Sequence, residues 1–289
     1  MTVVDAAVLR RPAVPVRGRR SLLSGLRTSR GIAGVALTVL IVGCGLIVPL
    51  FLSWGPLQQS GNSLAPAWTS PHLFGTDEVG RDLLSRVLAG IRLDSLLVVI
   101  AVPISAVLGT ALGLLSAASA AAGNSAQWIF NLLLGFPGVV MGIAVSIAIA
   151  PGQTAIIVAM VLTTMPAFGR QARITTMGQL SRDYVAAATV AGTPRREIIT
   201  RHILPNVLDT VIVRIAPAVS QAIMLEGALS VVGLGIQPPQ ASLGQMIATG
   251  SQYLSNAPMY SLAPLVVVLL AVMGLSLIGD ALNEAVLRG

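Results

Sequence analysis

The side chains best suited to proton transfer, metal ligation or covalent attack are few: eleven carboxylates, two histidines and one cysteine among 289 residues. His72 and His202 fall in segments expected on opposite faces of a membrane, so they cannot share a metal or a catalytic arrangement. Each reads better as a structural residue, His202 within its own cytoplasmic segment and His72 within a loop. Cys44 is the only cysteine, which excludes an intrachain disulfide and a cysteine-cluster metal site, and its place inside an apolar block suits a small packing residue. Glu226 differs in kind. It lies well inside an apolar block, where an acid is costly and is a functional candidate by default. It could line a pathway, or make a structural hydrogen bond near the outer surface. The 77–94 stretch mixes Asp77, Glu78, Arg81, Asp82, Arg86, Arg92 and Asp94, suiting either an interfacial helix with local ion pairs or a partner contact. Asp209 and Arg214 are expected to form interfacial ion pairs. All 18 cations are arginine, so the phosphate-binding P-loop, which needs a lysine, is excluded. No covalent catalysis is expected of this chain. If ATP drives it, another polypeptide hydrolyses the ATP.

The elements that would position these groups follow from composition. Hydrophobic residues make up 54% and charged residues only 10%, and mean hydropathy is +0.84. A soluble domain carries roughly 25% charge, so this chain cannot cover itself with a water-facing surface. Its apolar residues fall in blocks of about twenty, the length a helix needs to cross the hydrocarbon. A net charge of +7 could suit nucleic acid. The arginines cluster at the ends of apolar blocks instead, which is a topology signal, and no nucleic-acid partner is expected.

The blocks predict an all-α membrane protein with about six transmembrane helices, at 31–52, 95–118, 128–150, 153–168, 207–234 and 262–278. Residues 1–30 form an Arg-rich tail. The 31–52 block is too long for a signal-peptide core and reads as a retained helix. Residues 53–94 form an extracytoplasmic connection, and 95–289 carry the other five helices. Seven arginines in 1–30 and six in 170–206 fall on one side of an even-span chain, whereas Arg81, Arg86 and Arg92 on the other side are offset by acids. The positive-inside rule then places both termini and 170–206 in the cytoplasm. Small residues such as Gly109 and Gly113, or Gly135 and Gly138, allow close helix approach. Prolines 103, 137, 166, 217 and 264 permit kinks.

Residues 181–206 predict two short helices between the fourth and fifth spans. Ser181 can cap the first, with Asp183 in its first turn, and Gly192 can end it in a left-handed conformation. Thr193 can cap the second, with Pro194 at its first position, and Pro205 should stop it. Ala186, Ala187 and Ala188 offer a small surface open to close approach by a partner.

This segment resembles the coupling loop of ABC importer permeases, in which Glu-Ala-Ala, three residues and Gly precede Ile-x-Leu-Pro. Ala187, Ala188, Gly192, Leu204 and Pro205 fall at the matching places, and Ala186 replaces the Glu. Tyr184-Val185 and His202-Ile203-Leu204-Pro205-Asn206 resemble the peptide branch. The run Gly75-Thr76-Asp77-Glu78-Val79-Gly80-Arg81-Asp82 resembles the signature of the C-type permease of dipeptide, oligopeptide and nickel importers. Glu226 to Pro239 resembles that family's end of span five, and Gly279-Asp280 its C-terminal signature. Leu243 stands where Trp is common and Asn283 where Arg is common. The resemblance covers essentially the whole chain beyond the N-terminal tail.

The resemblance implies the fold of a type I ABC importer permease in a bacterial plasma membrane. It implies a second, B-type permease as partner, two ATPase subunits that bind ATP and Mg, and an extracytoplasmic solute-binding protein. Asp183, Tyr184, Ala186, Ala187, Ala188, Gly192, Thr193, His202, Leu204 and Pro205 would couple to the ATPases. Apart from the resemblance, Glu226 is a candidate for the translocation path as an intramembrane acid, and there it could meet the amino end of a peptide. Peptide is the expected substrate, with nickel chelates and glutathione as alternatives. A gradient-driven secondary transporter would need several intramembrane charges or an inverted repeat. The sequence offers essentially Glu226 and no clear repeat.

Overall fold

The computed structural model describes residues 22–117 and 120–288. Most of the expected 1–30 tail lies outside these residues. Helix α1 (Leu22–Leu26) is a single turn. Thr28 then caps α2 (Ser29–Ile47), its hydroxyl accepting from the Gly31 N–H at 3.2 Å. A 3-10 turn, Val48–Phe51, carries Pro49 at its start.

Helix α3 (Leu83–Ser116) begins well before residue 95, where hydropathy places the second span. Asp82 caps it, and Arg86 and Asp94 find buried partners, so the charges that read as loop are absorbed into the helix. The third span is not one helix. It is α4 (Ala120–Gly135) and α5 (Gly138–Ile149), bent by 95° at the break. Pro137 lacks an N–H and disfavours helix at the residue before it, which localises the bend. Helix α6 (Gln153–Leu180) runs past its expected end and carries Arg170 and Arg173 inside it.

Helix α7 (Asp183–Val190) and the short turn α8 (Arg195–Glu197) form the expected hairpin. Pro205, however, does not end a helix. A π-helical turn, Ile198–Ile203, runs straight into α9 (Leu204–Val231), so Pro205 sits at the junction of the two within a continuous helical run. The last elements are α10 (Leu243–Gly250) and α11 (Met259–Arg288).

Helix directions settle the number of crossings. Helices α3 and α6 pack in parallel: a methyl on Gly109 would lie 2.4 Å from the Met165 carbonyl oxygen, and one on Gly113 2.4 Å from that of Gly169. Two consecutive parallel spans need a single crossing between them, so the bent α4–α5 pair is one span. Helices α2 and α11 are antiparallel: Gly34 lies against Gly274 and Ile278, and Gly25 of α1, earlier in the chain, lies further along α11 against Ala281 and Ala285. The described chain ends therefore share one end of a six-span bundle. That end also carries the hairpin, while 52–82 and α10 share the opposite one.

The bundle core consists of Leu97, Ala101, Ile156, Ala159, Met160, Phe168, Ala222 and their neighbours on α3, α6 and α9. Because Gly109 meets backbone rather than a movable side chain, Gly109→Leu is expected to force α3 from α6. Overpacking of this kind costs about 1–3 kcal/mol or more. A lowered thermal midpoint of the detergent-purified protein would report it, and an unchanged midpoint would refute that packing.

Candidate coupling hairpin, outer lock and cleft

The hairpin is rigidly built. Helix α7 ends in a two-bond cap: the Thr193 N–H donates to the Ala188 carbonyl at 3.0 Å and the Gly192 N–H to that of Thr189 at 3.1 Å. The cap requires a left-handed residue, and Gly192 has φ +80°. At the other end Arg182, not Ser181, holds the capping position; the Ser181 hydroxyl donates back to the Gly178 carbonyl at 3.1 Å. Val185, Ile198 and Ile203 are buried in the bundle core and seat the hairpin on it. The Tyr184 hydroxyl bonds Gln179 Oε1 at 2.8 Å, and its ring lies 6.0 Å from that of His202. Partial burial pushes the Tyr184 phenol up, against the opposing pull of Arg182, so it stays a neutral donor. Asp183, Ala186, Ala187 and Val190 share the exposed face, with Val190 90% exposed, whereas Ala188 is half-buried against the core. Glu197 and Arg201 form an ion pair beside it.

At the opposite end the Gly75–Asp82 run is a folded lock, not a helix. Asp77 is fully buried. Its Oδ1 accepts from the N–H groups of Val79 (3.0 Å) and Arg81 (2.8 Å). Its Oδ2 meets Arg81 Nε at 2.6 Å and Arg86 Nε at 3.2 Å, the latter a charge contact without hydrogen-bond alignment. Arg86, 1% exposed, also reaches the Pro56 and Pro239 carbonyls at 3.4 and 3.5 Å. Asp82 accepts from the Ser85 N–H and hydroxyl, both at 2.8 Å, and pairs with His72 Nδ1 at 2.9 Å. Thr76 donates to the Asn62 carbonyl at 2.6 Å. Gly75 and Gly80 have φ +84° and +79°, and a methyl on Gly75 would lie 2.2 Å from the Ala65 carbonyl oxygen. The ion pairs expected from 77–94 are present, but they fold a loop onto the start of α3.

Glu226 is buried on the α10 side of α9. Its Oε1 accepts from the Ser230 hydroxyl at 2.8 Å, and its Oε2 lies close against Gly244 at the start of α10. Asp94 Oδ2 accepts from the Leu243 N–H at 3.1 Å. Two acidic side chains, from α3 and α9, thus come together at the N-terminal end of α10. No local pattern could signal this partnership, because 149 positions separate Asp94 from Leu243. A methyl on Gly244 would lie 2.6 Å from Glu226 Oε2 and 2.7 Å from Gly227 Cα. Gly244→Ala is therefore expected to loosen α10, costing about 1–3 kcal/mol. Faster backbone hydrogen exchange across α10 would show it; unchanged protection would contradict this packing.

A cleft of about 900 Å³ opens between α5, α6, α9 and α11, lined among others by Thr163, Gln171, Thr210, Arg214, Gln221 and Asp280. Glu226 is not among its lining residues. Arg214 forms no ion pair with any described residue, nor does Asp209, contrary to the expectation of interfacial pairs. Sequence reasoning missed the cleft. Its signal was the spacing of Thr210, Arg214, Pro217, Gln221 and Ala228, one helical stripe on α9. No group of three or more metal-ligating side chains occurs among the described residues.

A multi-span bundle with an exposed helical hairpin at one end, a locked loop at the other and a polar cleft between helices has the parts of a membrane transport subunit. Residues 109–289 match the family described as binding-protein-dependent transport system inner membrane component, and the chain belongs to it. It is 34% identical over 261 residues to the di/tripeptide transport system permease protein DppC of Pseudomonas aeruginosa, covering 88% of this chain and 86% of that one. It is 30% identical to a dipeptide transport system permease protein DppC of Alkalihalophilus pseudofirmus (88% and 84% covered). It is also 30% identical to a probable D,D-dipeptide transport system permease protein of Escherichia coli (92% of each). The chain is a multi-pass membrane permease component rather than a catalytic enzyme.

Proposed function

We propose that this chain is one of two permeases forming the translocation path of an ATP-driven peptide importer, with the hairpin at 181–206 as its handle. The family match and the peptide permeases among its relatives support the class and the substrate. The observation that carries the mechanism is the hairpin itself. It presents small and apolar side chains outward while Val185, Ile198 and Ile203 anchor it to the core between α6 and α9. A push on its exposed face is transmitted directly into two spans, one of which lines the cleft along much of its length.

The partners in this reading are a B-type permease, two ATPase subunits that bind ATP and Mg, and an extracytoplasmic solute-binding protein. The arginines at the hairpin end support a cytoplasmic placement for that end and for both termini. Asp183, Ala186, Ala187 and Val190 would touch the ATPase, while Tyr184, Gly192, Thr193, His202, Leu204 and Pro205 hold that face in place. Glu226, buried against α10 and absent from the cleft lining, would act by holding α10 on α9.

The test is reconstitution of the complex in vesicles with its solute-binding protein. Peptide uptake that requires ATP and both partner types is expected. Gradient-driven flux by this chain alone would overturn the reading in favour of a secondary transporter.

A further inference from the structure

The cleft contains one cation and one anion, and neither is neutralised by a described residue. Arg214 lies on α9 and Asp280 on α11, and both line the same space. They stand at one level: Gly279, next to Asp280, packs against Pro217 and Ala216, within one turn of Arg214. No ion pair within 4 Å joins them, and neither pairs with any other described residue.

Depth makes this notable. Arg214 is ten positions beyond Leu204, about 15 Å along α9 from the hairpin end. Arg214 is half-buried there, and an arginine without a counter-charge on a span-forming helix is costly unless it faces a wet cavity. Asp280 is exposed to the cleft. Around the two charges the lining supplies neutral hydrogen-bonding groups from Gln171, Thr210, Gln221 and Asn283. It supplies no second cation or acid.

We infer that Arg214 and Asp280 form a reading point for zwitterions at the inner half of the path. Arg214 receives the carboxylate end of a short peptide and Asp280 its ammonium end. This rests on the peptide reading given above. The guanidinium fork matches a carboxylate in two parallel hydrogen bonds, and a lone carboxylate suits an ammonium. The neutral amides and hydroxyls between them can serve the peptide backbone, which every peptide shares. A point of this kind senses free termini and tolerates diverse side chains.

The test uses the complete importer in proteoliposomes, with its solute-binding protein loaded with radiolabelled dialanine. The quantity measured is peptide delivered per ATP hydrolysed. Arg214→Gln and Asp280→Asn are each expected to lower that ratio roughly tenfold, the scale of one lost hydrogen bond to a charged group. Arg214→Lys, which keeps the charge, should recover at least half of it. A ratio equal to that of the unsubstituted importer in both neutral variants would overturn the inference, whether uptake and hydrolysis hold or fall together. So would failure of the lysine variant to differ from the glutamine one. If the unsubstituted importer moved no dialanine at all, the peptide reading itself would fall first, and this inference with it.

Discussion

Proline in place of Gly192 is expected to abolish uptake by the assembled importer while leaving the chain inserted in the membrane. The glycine has φ +80°, whereas a proline ring holds φ near −65°. Proline would also remove the N–H that reaches the Thr189 carbonyl. With that bond lost and the left-handed turn forbidden, the 6→1 bond from Thr193 to Ala188 cannot form either. Helix α7 has eight residues, too few to persist without its cap and its seat on the core. The six spans do not depend on this turn, so membrane insertion should survive. Ala187→Trp tests the surface rather than the fold, because Ala187 is exposed where Ala188 is half-buried. It should reduce uptake by at least tenfold by obstructing close approach, with no change in thermal stability of the isolated chain. Normal uptake with either variant would rule out docking on this face.

Asp77→Ala is expected to destabilise the end of the bundle opposite the hairpin more than any other single change there. Asp77 is the shared counter-charge of two buried arginines and also accepts two backbone N–H groups. Its removal leaves Arg86 buried without a carboxylate, and breaking a buried pair from one side costs about 3–5 kcal/mol. The damage should travel, since Arg86 also holds the Pro56 and Pro239 carbonyls and so joins the 54–82 loop to the approach to α10. The expected result is a lowered unfolding midpoint in detergent and new proteolytic cleavage within 54–82. Arg81→Lys, at the edge of the same cluster, should cost much less, because the charge persists. Equal stability of Asp77→Ala and the unsubstituted protein would mean that Arg86 has another counter-charge.

The sequence made some of this legible for clear reasons. Span-length apolar blocks and the arginine distribution gave six crossings. Gly192 announced its left-handed turn by lying just beyond a capped helical stretch. The failures share one cause, the tertiary partner that local pattern cannot see. Arg86 and Asp94 read as a polar loop because their partners, Asp77 and the Leu243 amide, are brought in by the fold. Pro205 read as a stop because nothing local shows that a π-helical turn can carry the chain through it. The 95° break at Phe136-Pro137 was legible in the sequence as a permitted kink, but the apolar block around it suggested one continuous helix. Glu226 was legible as an important acid, and its direction was not. Its partners on α10 lie on the side of α9 away from the cleft, and only the packing of α10 reveals that side.

Cysteine cross-linking offers the sharpest test of the hairpin as a handle for a separate ATPase. Cys44 is the only native cysteine, so Ala187→Cys in a Cys44→Ser background gives a single reactive position on the exposed face. In the assembled importer it should form a disulfide with a cysteine placed in the ATPase groove, and the yield should change when ATP is bound. In intact cells it should resist a membrane-impermeant thiol reagent. Labelling from outside, or no cross-link to any ATP-hydrolysing subunit under any nucleotide condition, would contradict the coupling role of 181–206.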